Sequence, residues 1–241
     1  AGFRLTPKGE QVLAATRRLF AAIEQFKGEA QGMADKLLGE LRIGLSEALD
    51  AQVLERVAAA IGRFRQRNQA VQIELLSAMP AELERRLLQD QLHLAIGYFA
   101  GQQHTLDYQP LFSEQQRLYC AKAHPLFDVA QPSQAQLDAC DGVLHPYRFI
   151  SAAEPFQPTS SSARSEQVEG CLSFILSGAH IGYLPRHIAA PWQARGLLKA
   201  LGPEALAFTV QFHLAQHRGR APSEAQLALL ADLQAAFASA S

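Results

Sequence analysis

Between Leu41 and Phe99 three short apolar runs alternate with two amphipathic stretches, and this alternation restricts the fold more than any other feature. The runs are "LRIGL" (Leu41–Leu45), "VQIELL" (Val71–Leu76) and "LHLAIGYF" (Leu92–Phe99), each the length of a buried strand. The stretch from about Glu47 to Arg67 puts Val53, Leu54, Val57, Ala58, Ile61 and Phe64 on one helical face, and a second helix opens at Pro80. A βαβαβ order with short loops predicts a parallel sheet with right-handed crossovers.

A second α/β unit starts near "RLYCAKAHP" (Arg117–Pro125). A strand is expected at Val143–Phe149, a helix at about Glu166–Ser177, and a strand at "AHIGYLP" (Ala179–Pro185). Between them, the Pro- and Ser-rich "SAAEPFQPTSSSARS" reads as a loop or an edge strand. In "LAFTVQFHLAQH", Leu206, Phe208, Val210, Phe212 and Leu214 alternate with smaller or polar residues, the period of a strand. That run exceeds the usual five or six residues and is long enough to pass from one unit to the other. A last helix, from about Pro222 to Phe237, then packs back on the first unit. The chain so crosses twice, near 112–117 and near 207–212, and two crossings leave a cleft whose lobes can hinge. The expected organisation is an α/β fold of two Rossmann-like lobes, 39–116 with 209–241 and 117–208, preceded by a helix over 1–38.

That first helix has its own pattern. Thr6 suits an N-cap and Pro7 the first helical position. Val12, Thr16, Leu19, Ile23, Phe26, Ala30, Met33 and Leu37 then follow in alternating steps of four and three, a heptad seam. Gly28 and Gly32 weaken the helix by about 1 kcal/mol each relative to Ala, so it needs a docked surface. One reading packs the seam on its own domain. The other makes it an interchain dimer helix through Val12, Leu19, Ile23, Phe26, Met33 and Leu37, and the 3.5-residue spacing favours this one.

Composition narrows the function classes. Of the 241 residues, 22 are basic and 23 acidic, a net charge of −1, so no basic field advertises nucleic-acid binding. Cys120, Cys140 and Cys171 lack zinc-type spacing and read as reduced thiols. No signal-like N-terminus and no long apolar run is present, so a cytoplasmic protein without membrane association is expected. No nucleophile elbow, P-loop or dinucleotide fingerprint follows a strand, and no acid–base constellation stands out, so an enzyme is not expected. His213 and His217, four apart in a strand, make poor metal geometry, and no metal or cofactor is expected.

The cleft offers more. Ligands of open parallel sheets sit beyond the carboxyl ends of strands, where helix N-termini favour anions. Ser46 follows the first strand, and Ser77 precedes the helix at Pro80. Ser162 and Ser165 precede the helix of the second lobe, with Arg164 between them. Tyr98 and Phe99 end the third strand as an aromatic wall. Singly, each serine reads equally as a helix cap, the arginine as a surface residue and the two aromatics as core. Their convergence on one cleft is what points to a small anion such as a carboxylate.

"FRLTPKGEQVL" resembles the end of the wing and the start of the linker helix of LysR-type transcriptional regulators. "GELRIGLSEAL" resembles the entry to their effector-binding domain, and "LHLAIG" its third strand. "AHPLF" is similar to their second-lobe entry, and "LSGAHIGYLPRHIAAPW" to their last second-lobe βα unit. The resemblance implies a type II periplasmic-binding-protein fold, a small-molecule effector in the cleft, and homodimers joining into tetramers. It further implies a DNA-binding winged helix-turn-helix before the linker, so DNA would be bound only through a domain this chain does not carry. Effector contacts transfer onto Ser46, onto the Ser77–Ala78–Met79 loop, onto Tyr98, and onto the Ser162–Ser165 region. The family often has Asp where His93 stands and Gly where His180 stands. The alternative expectation is a free-standing solute-binding protein of the same fold.

Overall fold

The computed structural model describes residues 6, 8–10, 12, 16, 37–67, 69–144, 155–202 and 204–238. Thr6 is the expected cap: its Oγ1 accepts from the Gly9 N–H at 3.1 Å, and its carbonyl accepts from Glu10 at 2.9 Å. Thr16 Oγ1 donates to the Val12 carbonyl one turn back, and Val12 is 65% exposed. Leu19, Ile23, Phe26 and Met33 of the heptad lie outside the described residues. Leu37 does not continue the helix. It opens strand β1 (Leu37–Leu45), paired residue by residue with β2 (Gln69–Ser77), Leu37 opposite Gln69. Gly39, at φ +108°, takes a backbone conformation that L side chains rarely adopt, and the ladder extends across it to Leu37.

β1, β2 and β3 (Leu94–Gly97) are parallel, in the order β2-β1-β3, as the alternation predicts. Helix α1 (Ala51–Arg65) joins the first two, capped by Asp50 Oδ1 accepting from Gln52 at 2.8 Å. It buries Val53, Val57, Ala60 and Phe64, a 4-3-4 spacing that keeps one stripe on the sheet. Helix α2 (Pro80–Leu88) joins β2 to β3, with Leu83 and Leu87 fully buried on the opposite face.

Strand β4 (Leu106–Ala121) then leaves the first lobe for the second, sixteen residues or about 53 Å of extended chain. No loop marks the start of a second unit near Arg117. Instead β4 runs antiparallel to β9 (Phe208–His217), from Leu106 opposite His217 to Gln116 opposite Phe208. The register shifts between Pro110 and Phe112, where proline has no N–H to give the ladder. β9 pairs with β3 through Ala215, Leu214 and His213, so both long strands belong to both lobes.

In the second lobe α3 (Gln134–Asp138) leads into β5 (Asp141–Leu144), parallel to β6 (Ser160–Arg164). The Ser-rich run is thus a strand, and the remainder of the strand expected to reach Phe149 lies outside the described residues. Helix α4 (Val168–Leu176), β7 (Gly182–Pro185), α5 (Arg186–Ala194) and β8 (Leu198–Ala200) follow. β4 pairs with β7 along Gln116–Tyr119 and with β8 along Tyr119–Ala121. Helix α6 (Glu224–Ala238) returns to the first lobe and packs beside α1, where buried Asp232 takes Arg67 in a bidentate pair. No helix of the described residues is long and apolar enough to cross a membrane.

Candidate functional site

The parallel register sets the first half of the site. Leu45 lies opposite both Ser77 and Ile96, so the three strands end level and their loops emerge side by side. The Ser46 N–H donates to the Ile96 carbonyl at 2.8 Å, and the Ala78 N–H donates to the Leu45 carbonyl at 3.1 Å. Ser77 Oγ donates to the same Leu45 carbonyl at 3.3 Å. Met79 precedes α2 without a side-chain cap. Ser46 is 3% exposed, and its Oγ finds no hydrogen-bond partner among the described residues. A Cβ on Gly97 would stand 2.6 Å from that oxygen, so the glycine gives the hydroxyl its room.

Tyr98 leans out of this lobe. Its ring lies 6.4 Å from that of Phe212, and with Leu49 it packs on an apolar cluster of the second lobe that includes Leu118, Tyr183 and Phe208. Phe99 does not form a cleft wall. It is 3% exposed and sits in the core with Leu83 and Leu87, 5.4 Å from the Tyr108 ring, because successive side chains of the extended chain point to opposite faces.

The second-lobe residues part company. Ser162 Oγ donates to Asp141 Oδ2, its N–H donates to Asp141 Oδ1 at 2.9 Å, and the Oγ meets His180 Nε2 at 3.1 Å. These donors, Ser162 foremost, hold the Asp141 carboxyl below its usual range. His180 stands five residues before Pro185, the residue that meets the crossing strand at Gln116. Ser162, midway along β6, is therefore tied to groups at the ends of β5 and β7 that point away from the first lobe. Arg164 is exposed at the opposite, lobe-facing end of β6. Ser165 turns back on its own chain, with Oγ donating to the Gln167 carbonyl at 2.8 Å and accepting its N–H at 3.0 Å.

Sequence reasoning missed a cavity of about 620 Å3 between the lobes, and none of the nine expected contact residues lines it. Its walls include Asp50 and Arg56 of α1, Phe112 and Glu114 of β4, and Arg186 and His187 of α5. His187 Nε2 lies 2.8 Å from the Ala48 carbonyl, which requires the proton on that nitrogen. Its Nδ1 then faces Glu114 Oε2 at 3.5 Å and Asp50 Oδ2 at 3.8 Å. Glu114 Oε1 accepts from Gln116 Nε2 at 2.7 Å. Burial first, and then the charge of Asp50, push the Glu114 carboxyl up to about 8, against the Gln116 hydrogen bond. "LPRH" carried the available signal, because Arg186 and His187 open a helix straight after a strand. Glu114, inside the polar run "SEQQ", carried none.

Burial pushes the Cys120 and Cys171 thiols up to about 11 and raises that of Cys140 as well. His213 packs edge-on to the Tyr108 ring, and His217 Nδ1 accepts from Gly219 at 3.1 Å.

Comparison with known proteins agrees with this architecture. The effector binding domain of QuiR in complex with shikimate superposes with a TM-score of 0.67 at 13% identity, over 84% of this chain and 98% of that one. Oxidized Corynebacterium glutamicum OxyR gives 0.61 at 18% identity, over 98% and 75%. These likenesses show the fold. In sequence, the chain is 34% identical to the HTH-type transcriptional activator BauR of Pseudomonas aeruginosa over 226 residues, 92% of this chain and 74% of that protein. The LysR substrate binding domain model matches residues 34–238. The chain thus belongs to the LysR family of transcriptional regulators, and its two lobes are the effector-binding domain of that family.

Proposed function

We propose that a small anionic effector binds between the lobes at the carboxyl ends of β1, β2 and β3, with Ser46, the Ser77–Met79 loop and Tyr98 on the first lobe and Arg164 on the second. The observation that carries this reading is the Ser46 hydroxyl. A buried hydroxyl without a partner costs about 1–3 kcal/mol, and a carboxylate oxygen arriving at the strand ends would remove that cost. The uncapped start of α2 adds unpaired N–H groups and the positive end of a helix dipole. Family membership favours a regulator over a free-standing solute-binding protein and over an enzyme.

The effector acts by preferring one angle between lobe I (39–116 and 209–241) and lobe II (117–208), since only differential affinity shifts such an equilibrium. As the sensing part of a cytoplasmic regulator, the protein transmits that angle through a homodimer or tetramer to DNA-binding domains. Thermal-shift screening against small carboxylates tests the site. A hit raises the Tm of the wild type and not that of Ser46→Ala, whereas equal shifts in the two proteins contradict the assignment.

A further inference from the structure

We propose that the cavity over Glu114 is a second ligand site, built for a small dipolar molecule that carries an ammonium group and a carboxylate. Its volume, about 620 Å3, lies in the range of small-molecule sites. Its lining is polar at both ends and opposite in sign. At one end Glu114, its side chain only 10% exposed, stands with Asp50 beside His187. The Oε1 of Glu114 has the Gln116 amide, while Oε2 has only the imidazole at 3.5 Å. At the other end, six residues or about 9 Å along α1, stands Arg56, and Arg186 also lines the cavity. Neither arginine has an ion-pair partner among the described residues. Arg56 rests 5.5 Å over the ring of Phe237.

An ammonium group completes the acidic end and a carboxylate the basic end. A carboxylate alone brings Glu114 and Asp50 no new donor, and an amine alone leaves Arg56 unpaired. The walls come from both lobes and from a crossing strand, so an occupant bears on the hinge directly. The 46–50 loop joins this site to the one at the strand ends, with Ser46 at its start and the Ala48 carbonyl and Asp50 at its end. This inference does not depend on the Ser46 reading.

Proton linkage sharpens it. The Glu114 carboxyl faces Asp50 from α1, His187 from α5, Gln116 on its own strand and the apolar Val210 opposite it on β9, while Arg56 and Arg186 line the cavity without meeting it. Burial keeps it neutral up to about pH 8. An arriving ammonium favours the carboxylate, so binding releases a proton and affinity rises with pH until the group is already ionised.

Calorimetric titration of the wild type, Ser46→Ala, Arg56→Gln and Glu114→Gln with straight-chain ω-aminocarboxylates of two to six carbons tests the proposal. Propylamine and propanoate serve as single-charge controls. At least one aminocarboxylate should bind, with both controls weaker by about tenfold or more. Arg56→Gln, which loses the contact over Phe237 but leaves the helix interior intact, should weaken binding by about tenfold, with its urea midpoint read alongside to separate binding from folding. Glu114→Gln should do so as well and abolish the pH dependence. Wild-type affinity should rise severalfold per unit from pH 6 to pH 8. Absence of binding across the series, equal binding of propanoate, or loss in Ser46→Ala with retention in Arg56→Gln would overturn the assignment.

Discussion

In the first lobe β2, β1 and β3 run parallel and end level, and the loops after β1 and β3 reach the second lobe through Leu49 and Tyr98. In the second lobe β6 and β5 also run parallel, and β5 bridges β7 in the same direction, but the hydroxyls of the Ser-rich strand fall elsewhere. Ser46 is enclosed and has no partner among the described residues. Ser162 is exposed and already spent on Asp141 and His180, and Ser165 on its own turn. The same residue type thus has ligand-binding potential in one lobe and a structural task in the other. What separates them is whether the fold has already filled their hydrogen bonds.

The largest expected effect asks whether the lobes behave as one body. Phe64→Ala empties a fully buried position under α1 and should cost about 3–5 kcal/mol. β4 and β9 run through both lobes, so urea unfolding should remain a single transition. Trp192, the only tryptophan, reports on the second lobe, and its fluorescence midpoint should fall together with that of far-UV circular dichroism. Separate midpoints would mean that the long strands do not couple the lobes.

Next in size is Glu114, on the strand between the lobes. Its folded carboxyl titrates near 8 rather than in the usual carboxylate range, so the folded state holds the proton more tightly than the unfolded one. Stability must therefore fall as pH rises from about 4.5 towards 8. Glu114→Gln removes that slope. The variant should match the wild type in the acid range and exceed it at pH 8 by on the order of a few kcal/mol, as read by denaturant melts at the two pH values. A pH-independent difference would mean that the carboxyl is ionised in the fold.

Gly97→Ala separates the two hydroxyl environments more finely. Its Cβ would lie 2.6 Å from Ser46 Oγ, so the hydroxyl must shift, at about 1–3 kcal/mol of stability. The thermal response to carboxylates should disappear with it. Ser162→Ala should be the mildest change, under about 1 kcal/mol for an exposed cluster, with the carboxylate response intact. A response lost in Ser162→Ala would reverse the contrast between the lobes.

The first lobe was legible because its strands, helices and caps obey local rules: "LRIGL", the Val53–Phe64 stripe and Pro80 each signal their own element. The carboxyl-end rule then brings Ser46, Ser77 and Tyr98 together without tertiary information. β4 was hidden because Pro110 and the polar "SEQQ" interrupt its alternation, while its pairing with β9 is set at a separation of about a hundred residues. Glu114 became a cavity residue only through that pairing and the docking of α5. Ser162 misled because a serine run before a helix looks like a cap, and only the pairing of β5 with β6 shows that it lies within a strand, bonded to Asp141. Leu37 fits the heptad arithmetic, yet the ladder to Gln69 claims it for the sheet.

The most direct measurement takes the carboxylate with the largest thermal shift and titrates it calorimetrically into wild type, Ser46→Ala and Ser162→Ala. Loss of about tenfold or more in affinity for Ser46→Ala, with Ser162→Ala unchanged, is the result predicted by an effector seated at the strand ends of the first lobe. Wild-type affinity in Ser46→Ala, or a comparable loss in Ser162→Ala, would contradict it.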